Sequence, residues 1–142
     1  MVALRDGGDY AGHTLRYKKA DLNPSEIPVR VGAAGKAWHA PGRYGKLIGQ
    51  APLDGHTLAQ SIMKQHEGID HIKIVNSGLN SLTHFGRETP PQFSPEVLLT
   101  AVRTGNDLGL KAMVHANGKD SVRAALDAVS YTHLTLPTTP YV

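Results

Sequence analysis

Residues 110–128, LKAMVHANGKDSVRAALDA, decide the fold. Lys111-Ala112-Met113-Val114 reads as a buried strand that ends on His115. Ala116-Asn117-Gly118 makes a sharp turn, and Asp120 or Ser121 can cap the helix that follows. A histidine at the carboxyl end of a parallel strand stands where α/β folds keep their chemistry.

The same unit recurs upstream. Residues 1–4 are apolar and run into Arg5-Asp6-Gly7-Gly8, a strand and a tight turn. Residues 9–19 predict a short helix that Gly12 interrupts. Residues 27–34, IPVRVGAA, are β-branched and apolar and predict a second strand. A glycine-rich loop over residues 35–52 carries Trp38, His39, Arg43, Tyr44 and Lys46. Residues 54–67 predict a helix with Asp54 as N-cap and Leu58, Ile62 and Met63 on one face. Residues 71–75, HIKIV, predict a third strand. A second long loop spans residues 79–93. Ser94-Pro95-Glu96 then starts a helix with a cap, a first-turn proline and an acid near its positive end, and Gly109 stops it. Strand and helix alternate four times, with strand centres near Val2, Val29, Ile74 and Met113. That pattern demands a parallel sheet with helical crossovers. It suits part of a (β/α)8 barrel or a four-stranded open sheet. A complete barrel takes about 250 residues, and this chain has 142.

Composition removes several classes of function. Forty per cent of residues are hydrophobic and 19% charged, a globular balance. The net charge is only +3, and its lysines and arginines are scattered rather than interleaved with aromatics. With 6% aromatic residues there is little to stack bases on, so no nucleic-acid partner is expected. The absence of cysteine excludes disulfides, thiolate metal sites and a cysteine nucleophile. No apolar leader core and no run of about 18 apolar residues is present. The expectation is a cytoplasmic protein without membrane partners. Residues 129–142, VSYTHLTLPTTPYV, share no helix or strand logic with what precedes them. They read as adaptor-derived read-through following a domain over residues 1–128, with a genuine flexible tail as the alternative.

Few side chains can carry chemistry. His115 can ligate a metal, or it can be a strand-end histidine satisfied by a backbone carbonyl. Lys73 lies between two isoleucines, so if they face the helices the lysine faces inward. A lysine there is costly unless paired or modified, although at an edge it could reach solvent. Asp6 could be a ligand or a metal-site partner, though a helix cap or an ion pair with Arg5 is the commoner use of such a residue. His39, Tyr44 and His84 sit in the two long loops, which would overhang the same face as a substrate-side rim. His13, His56, His66 and His71 read as surface or strand-edge residues. HExxH, GxSxG, phosphate-loop and dinucleotide fingerprints are all missing.

These segments together resemble the amidohydrolase superfamily, in the branch of imidazolonepropionases and metal-dependent prolidases. The resemblance covers residues 1–128. MVALRDGG is similar to the second-strand segment, PVRVGAAGKAWHAPGRYGK to the third, DHIKIVNSG to the fourth and MVHANGKDSVRAALDA to the fifth. It implies strands 2–5 of a barrel, with Lys73 as a carbamylated bridging lysine and His115 as a metal ligand. It further implies one or two divalent ions, most often zinc, and hydrolysis of a C–N bond in a small amide-type substrate. The family's His-x-His pair, its sixth-strand histidine and its eighth-strand aspartate have no counterpart in these residues. Many relatives carry a histidine where this chain has Tyr44. Two ligands are fewer than the three a catalytic zinc takes, so this polypeptide is expected to be inactive and prone to aggregate. The competing expectation is a self-contained α/β ligand-binding module without catalysis, its sheet covered on both faces. A fragment without function is a third.

Overall fold

The computed structural model describes residues 3–20, 29–79 and 83–128. Its elements follow the order β1 (Ala3–Arg5), α1 (His13–Lys19), β2 (Arg30–Gly32), β3 (Ala37–Trp38), β4 (Gly49–Gln50), α2 (Leu58–Lys64), β5 (His71–Val75), α3 (Pro95–Asp107), β6 (Lys111–His115) and α4 (Lys119–Ala128). Every strand pairing is parallel. β1 pairs with β2, and a second ladder runs β4-β3-β5-β6. The two ladders are tied by backbone hydrogen bonding between Asp70 and Ala33. The Asp70 amide donates to the Ala33 carbonyl at 2.8 Å, and the Asp6 amide to the Gly32 carbonyl at 2.8 Å. Parallel strands joined through helices are the architecture expected of part of a barrel.

The core lies on one side of the second ladder. Ile72, Ile74 and Ala112 are 0–3% exposed and cluster with Leu58 and Ile62 of α2, Leu98, Ala101 and Val102 of α3, and Ala124, Ala125 and Ala128 of α4. α3 comes so close to β5 that a Cβ on Gly105 would lie 2.4 Å from Ile72 Cδ1. α1 buries none of its residues. Burial of apolar area at about 25 cal/mol per Å² stabilises this outer layer. The opposite face of β5 and β6 carries their titratable side chains.

Four sequence expectations need correction. The segment over residues 35–52 is not simply a loop, because it contains β3 and β4. Gly49 lies against β3 with no room for a side chain, a Cβ there falling 2.0 Å from the Ala37 carbonyl oxygen. α2 starts at Leu58, not at Asp54. Its N-cap is Thr57, which exchanges hydrogen bonds with Gln60 in a capping box. Met63 is 56% exposed, and Ser61 takes the third inward position beside Leu58 and Ile62 because residues three and four apart share a helix face. α1 is also shorter than its pattern. Gly12 adopts φ +73°, and the helix follows it. The amides of Ala11 and Thr14 donate to the Asp9 carboxylate. Val2 and residues 27–28, part of the expected first and second strands, lie outside the described residues, as does the whole segment 129–142.

Candidate metal centre

β5 and β6 pair along their whole length, Lys73 beside Met113 and Val75 beside His115. Neighbours across a sheet share a face, and alternate residues along a strand share it too. His71, Lys73, Val75, Met113 and His115 therefore line the face opposite the helices, while Ile72, Ile74 and Ala112 pack beneath them. The register brings the two predicted ligands together without any long-range accident.

His115 is half-buried at the carboxyl end of β6. Its backbone carbonyl accepts from the Asn76 amide at 2.9 Å, which ties the ends of the two strands. Its Nε2 is shut off from solvent and has no hydrogen-bond partner. Burial lowers the pKa of the imidazole, the nearby Lys73 charge lowers it further, and a hydrogen bond with the Gly78 backbone opposes both. Neutral imidazole is the ligating form. Lys73 is also half-buried, and burial pushes its amine below the ordinary lysine pKa. A histidine anchored on one side with its other nitrogen bare, next to a lysine biased toward neutrality, suits a divalent ion. Among the described residues no group of three His, Cys, Asp or Glu side chains comes together to hold one.

The loop residues divide. Tyr44 is brought to the centre: its ring lies 6.1 Å from the His115 ring, centroid to centroid, at an interplanar angle of 46°. His39 is not part of the rim. It is 4% exposed, bonded through Nδ1 to the Ala40 carbonyl at 2.9 Å, and packed against Gly45. His84 is exposed, with Nδ1 3.0 Å from Thr83 Oγ1.

His71 is not a surface residue. It is 3% exposed, and its Nε2 lies 2.8 Å from the Asp6 carbonyl, joining the start of β5 to the end of β1. Strand parity is the reason, since residue 71 shares the inner face with residue 73. Asp6 is neither a helix cap nor an ion-pair partner of Arg5. Its carboxylate accepts from the amides of Gly8 at 3.0 Å and Ala34 at 3.4 Å, which folds the turn after β1.

The sequence did not single out Asn76, Ser77, Glu88 or Gln92. Asn76 and Ser77 are fully buried. The Phe93 amide donates to Asn76 Oδ1, and the Asn117 amide to Ser77 Oγ. Glu88 accepts from the Lys119 amide at the start of α4. These contacts join segments far apart in the chain, and no local spacing announces them.

The sequence matches no described protein family and no curated protein. Solved structures do share its fold. A Xaa-Pro dipeptidase with bound methionine superposes with a TM-score of 0.71 at 22% identity, over 90% of this chain and 35% of its own. An ochratoxinase from A. niger gives 0.64 at 21% identity, over 89% and 35%. A prolidase complexed with N-methylphosphonate-L-proline gives 0.62 at 15% identity, over 90% and 35%. The chain spans about a third of the length of each. Its parallel strands and outer helices thus have the fold of part of a (β/α)8 barrel, as in these solved structures.

Proposed function

We propose that the chain is a segment of a metal-dependent hydrolase acting on a carbon–nitrogen bond of a small amide-type substrate, and that it supplies two metal ligands, Lys73 and His115. The bare, solvent-excluded Nε2 of His115 on the face it shares with Lys73 carries this reading. The names of the structural neighbours, two of them acting on or binding proline-type compounds, support an amide of an amino acid as substrate class.

A divalent ion, zinc by preference, would supply Lewis acidity at the scissile carbonyl and an activated water. The residues of this chain prepare its seat. His115 offers Nε2 as a neutral donor, oriented by Gly78. Lys73 in its neutral form can attack carbon dioxide; the N–C bond forms, one proton leaves, and the side chain becomes an anionic carbamate oxygen ligand. Its burial favours the amine that this step needs. Left as an ammonium, Lys73 would repel the ion. Tyr44 sets its ring beside His115.

A catalytic zinc usually takes three protein ligands, and the described residues bring together two candidates. The 142-residue chain is therefore expected to bind Zn²⁺ without hydrolysing a Xaa-Pro dipeptide. The ligand-binding module is less well supported. It needs helices on both faces of the sheet, whereas the buried residues of α2, α3 and α4 gather on the side opposite Lys73.

Zinc titration by calorimetry and ¹³C NMR in ¹³C-bicarbonate tests the proposal. His115→Ala should weaken Zn²⁺ binding at least tenfold, while His39→Ala leaves it unchanged. A carbamate resonance should appear with Zn²⁺ and vanish in Lys73→Met. Wild-type affinity in His115→Ala overturns the assignment.

A further inference from the structure

The amide of Gln92 is the point where three chain segments meet. Ala40 N–H donates to Oε1 at 2.9 Å. Nε2 donates to the Tyr44 carbonyl at 2.9 Å and to the Ser77 carbonyl at 3.1 Å. The Gln92 backbone amide donates to the Asn76 carbonyl at 2.9 Å. One side chain thus joins the segment after β3, the turn that bears Tyr44 and the end of β5. The same Tyr44 turn is pinned from its other side: Gly45 has φ +128°, and a Cβ there would lie 2.9 Å from His39 Cβ.

We propose that Gln92 is a positioning residue: it holds the Tyr44 backbone so that the tyrosine ring stays against His115. Gln92 does not touch His115. It acts by clamping the carbonyl of Tyr44 to the strand end that His115 itself is bonded to, through Asn76. The functional importance of this clamp rests on the metal-ligand reading of His115, but the clamp is a property of the metal-free chain.

The test is the ¹H–¹³C resonance of the His115 ring in the full chain with EDTA. Tyr44→Leu removes the ring current of the tyrosine and defines the displaced position. Gln92→Met, an uncharged variant of similar length, should move the signal toward that position. It should add nothing in the Tyr44→Leu background. Glu88→Ala frees the same loop from α4 but leaves the Tyr44 turn clamped, so the signal should stay put. A Gln92→Met signal at the wild-type position overturns the proposal, as does an equal displacement in Glu88→Ala. If Gln92→Met does not fold, the wild type still decides. Nuclear Overhauser contacts between the Tyr44 and His115 rings and a slowly exchanging Ala40 amide support the clamp, and absence of either overturns it. Because no metal is present, this outcome is independent of whether His115→Ala loses zinc.

Discussion

Among the described residues His39 and His71 are buried and His115 is half-buried, and their hydrogen bonds give them different work. His39 is satisfied by the Ala40 carbonyl and packed against Gly45; His71 is satisfied by the Asp6 carbonyl. His115 alone among them keeps a bare, buried nitrogen. An unpaired polar atom in the interior costs about 1–3 kcal/mol, and a half-buried lysine on the same face adds its own desolvation. The site is built against stability. Lys73→Met should therefore stabilise the metal-free chain by roughly 1 kcal/mol, read as a higher urea midpoint in EDTA, while abolishing any carbamate. A midpoint below wild type would show that the lysine packs better than it solvates. Lys73 was legible in the sequence because a charged residue between two isoleucines breaks a strand's pattern. Tyr44 was legible only as a residue of the substrate-side loop; Gln92, which donates to its carbonyl, lies 48 positions away.

Helix and strand boundaries follow local chemistry more closely. Ser94 accepts from the Val97 amide, Pro95 opens α3, and the helix ends before Gly109 at φ +74°. All of this stood in the sequence, because caps and glycines act within a few residues. α2 shows how such a reading goes astray. Asp54 is a good cap by type, yet Thr57 has Gln60 three residues on and forms the reciprocal box. Thr57→Ala should cost about 1 kcal/mol and Asp54→Ala much less, measured by chemical denaturation. β3 and β4 were illegible for a different reason. Two-residue strands have no periodicity, and they exist because Gly49 lets two backbones touch. Gly49→Ala should destabilise the chain by about 3 kcal/mol or more, since the obstructing atom is a backbone carbonyl that cannot rotate away. Circular dichroism melts of the three variants would rank these effects.

At the scale of the molecule, α1 is held to the parallel strands through Asp70. Its carboxylate accepts from Lys18 Nζ at 2.7 Å and from the Ala33 amide at 2.7 Å. Burial works against the charge, but these hydrogen bonds outweigh it and hold Asp70 below the usual aspartate value of 3.8. A carboxylate depressed on folding adds stability above its unfolded pKa and loses it as pH falls through the lower native one. Asp70→Asn should thus lower the urea midpoint at neutral pH, and the gap to wild type should close as the pH falls through the lowered native pKa of Asp70. A gap that persists in acid would assign the effect to packing. The sheet edges govern association. Among the described residues β1, β2, β4 and β6 each pair with a strand on one side only, and Leu4 on β1 is 49% exposed. Unpaired edges invite other chains, so the polypeptide should self-associate in light scattering; soluble, monomeric, cooperatively unfolding material would contradict this.

The alternation of apolar strands with capped helices was enough to determine a parallel α/β sheet with Lys73 and His115 on it, because period, caps and turns are local properties of a chain. Which face Lys73 shares with His115, why His71 is buried, and how Tyr44 meets the imidazole were decided only by the tertiary structure. Those relations depend on strand register and on hydrogen bonds such as those of Gln92, which link residues tens of positions apart and leave no trace in local spacing.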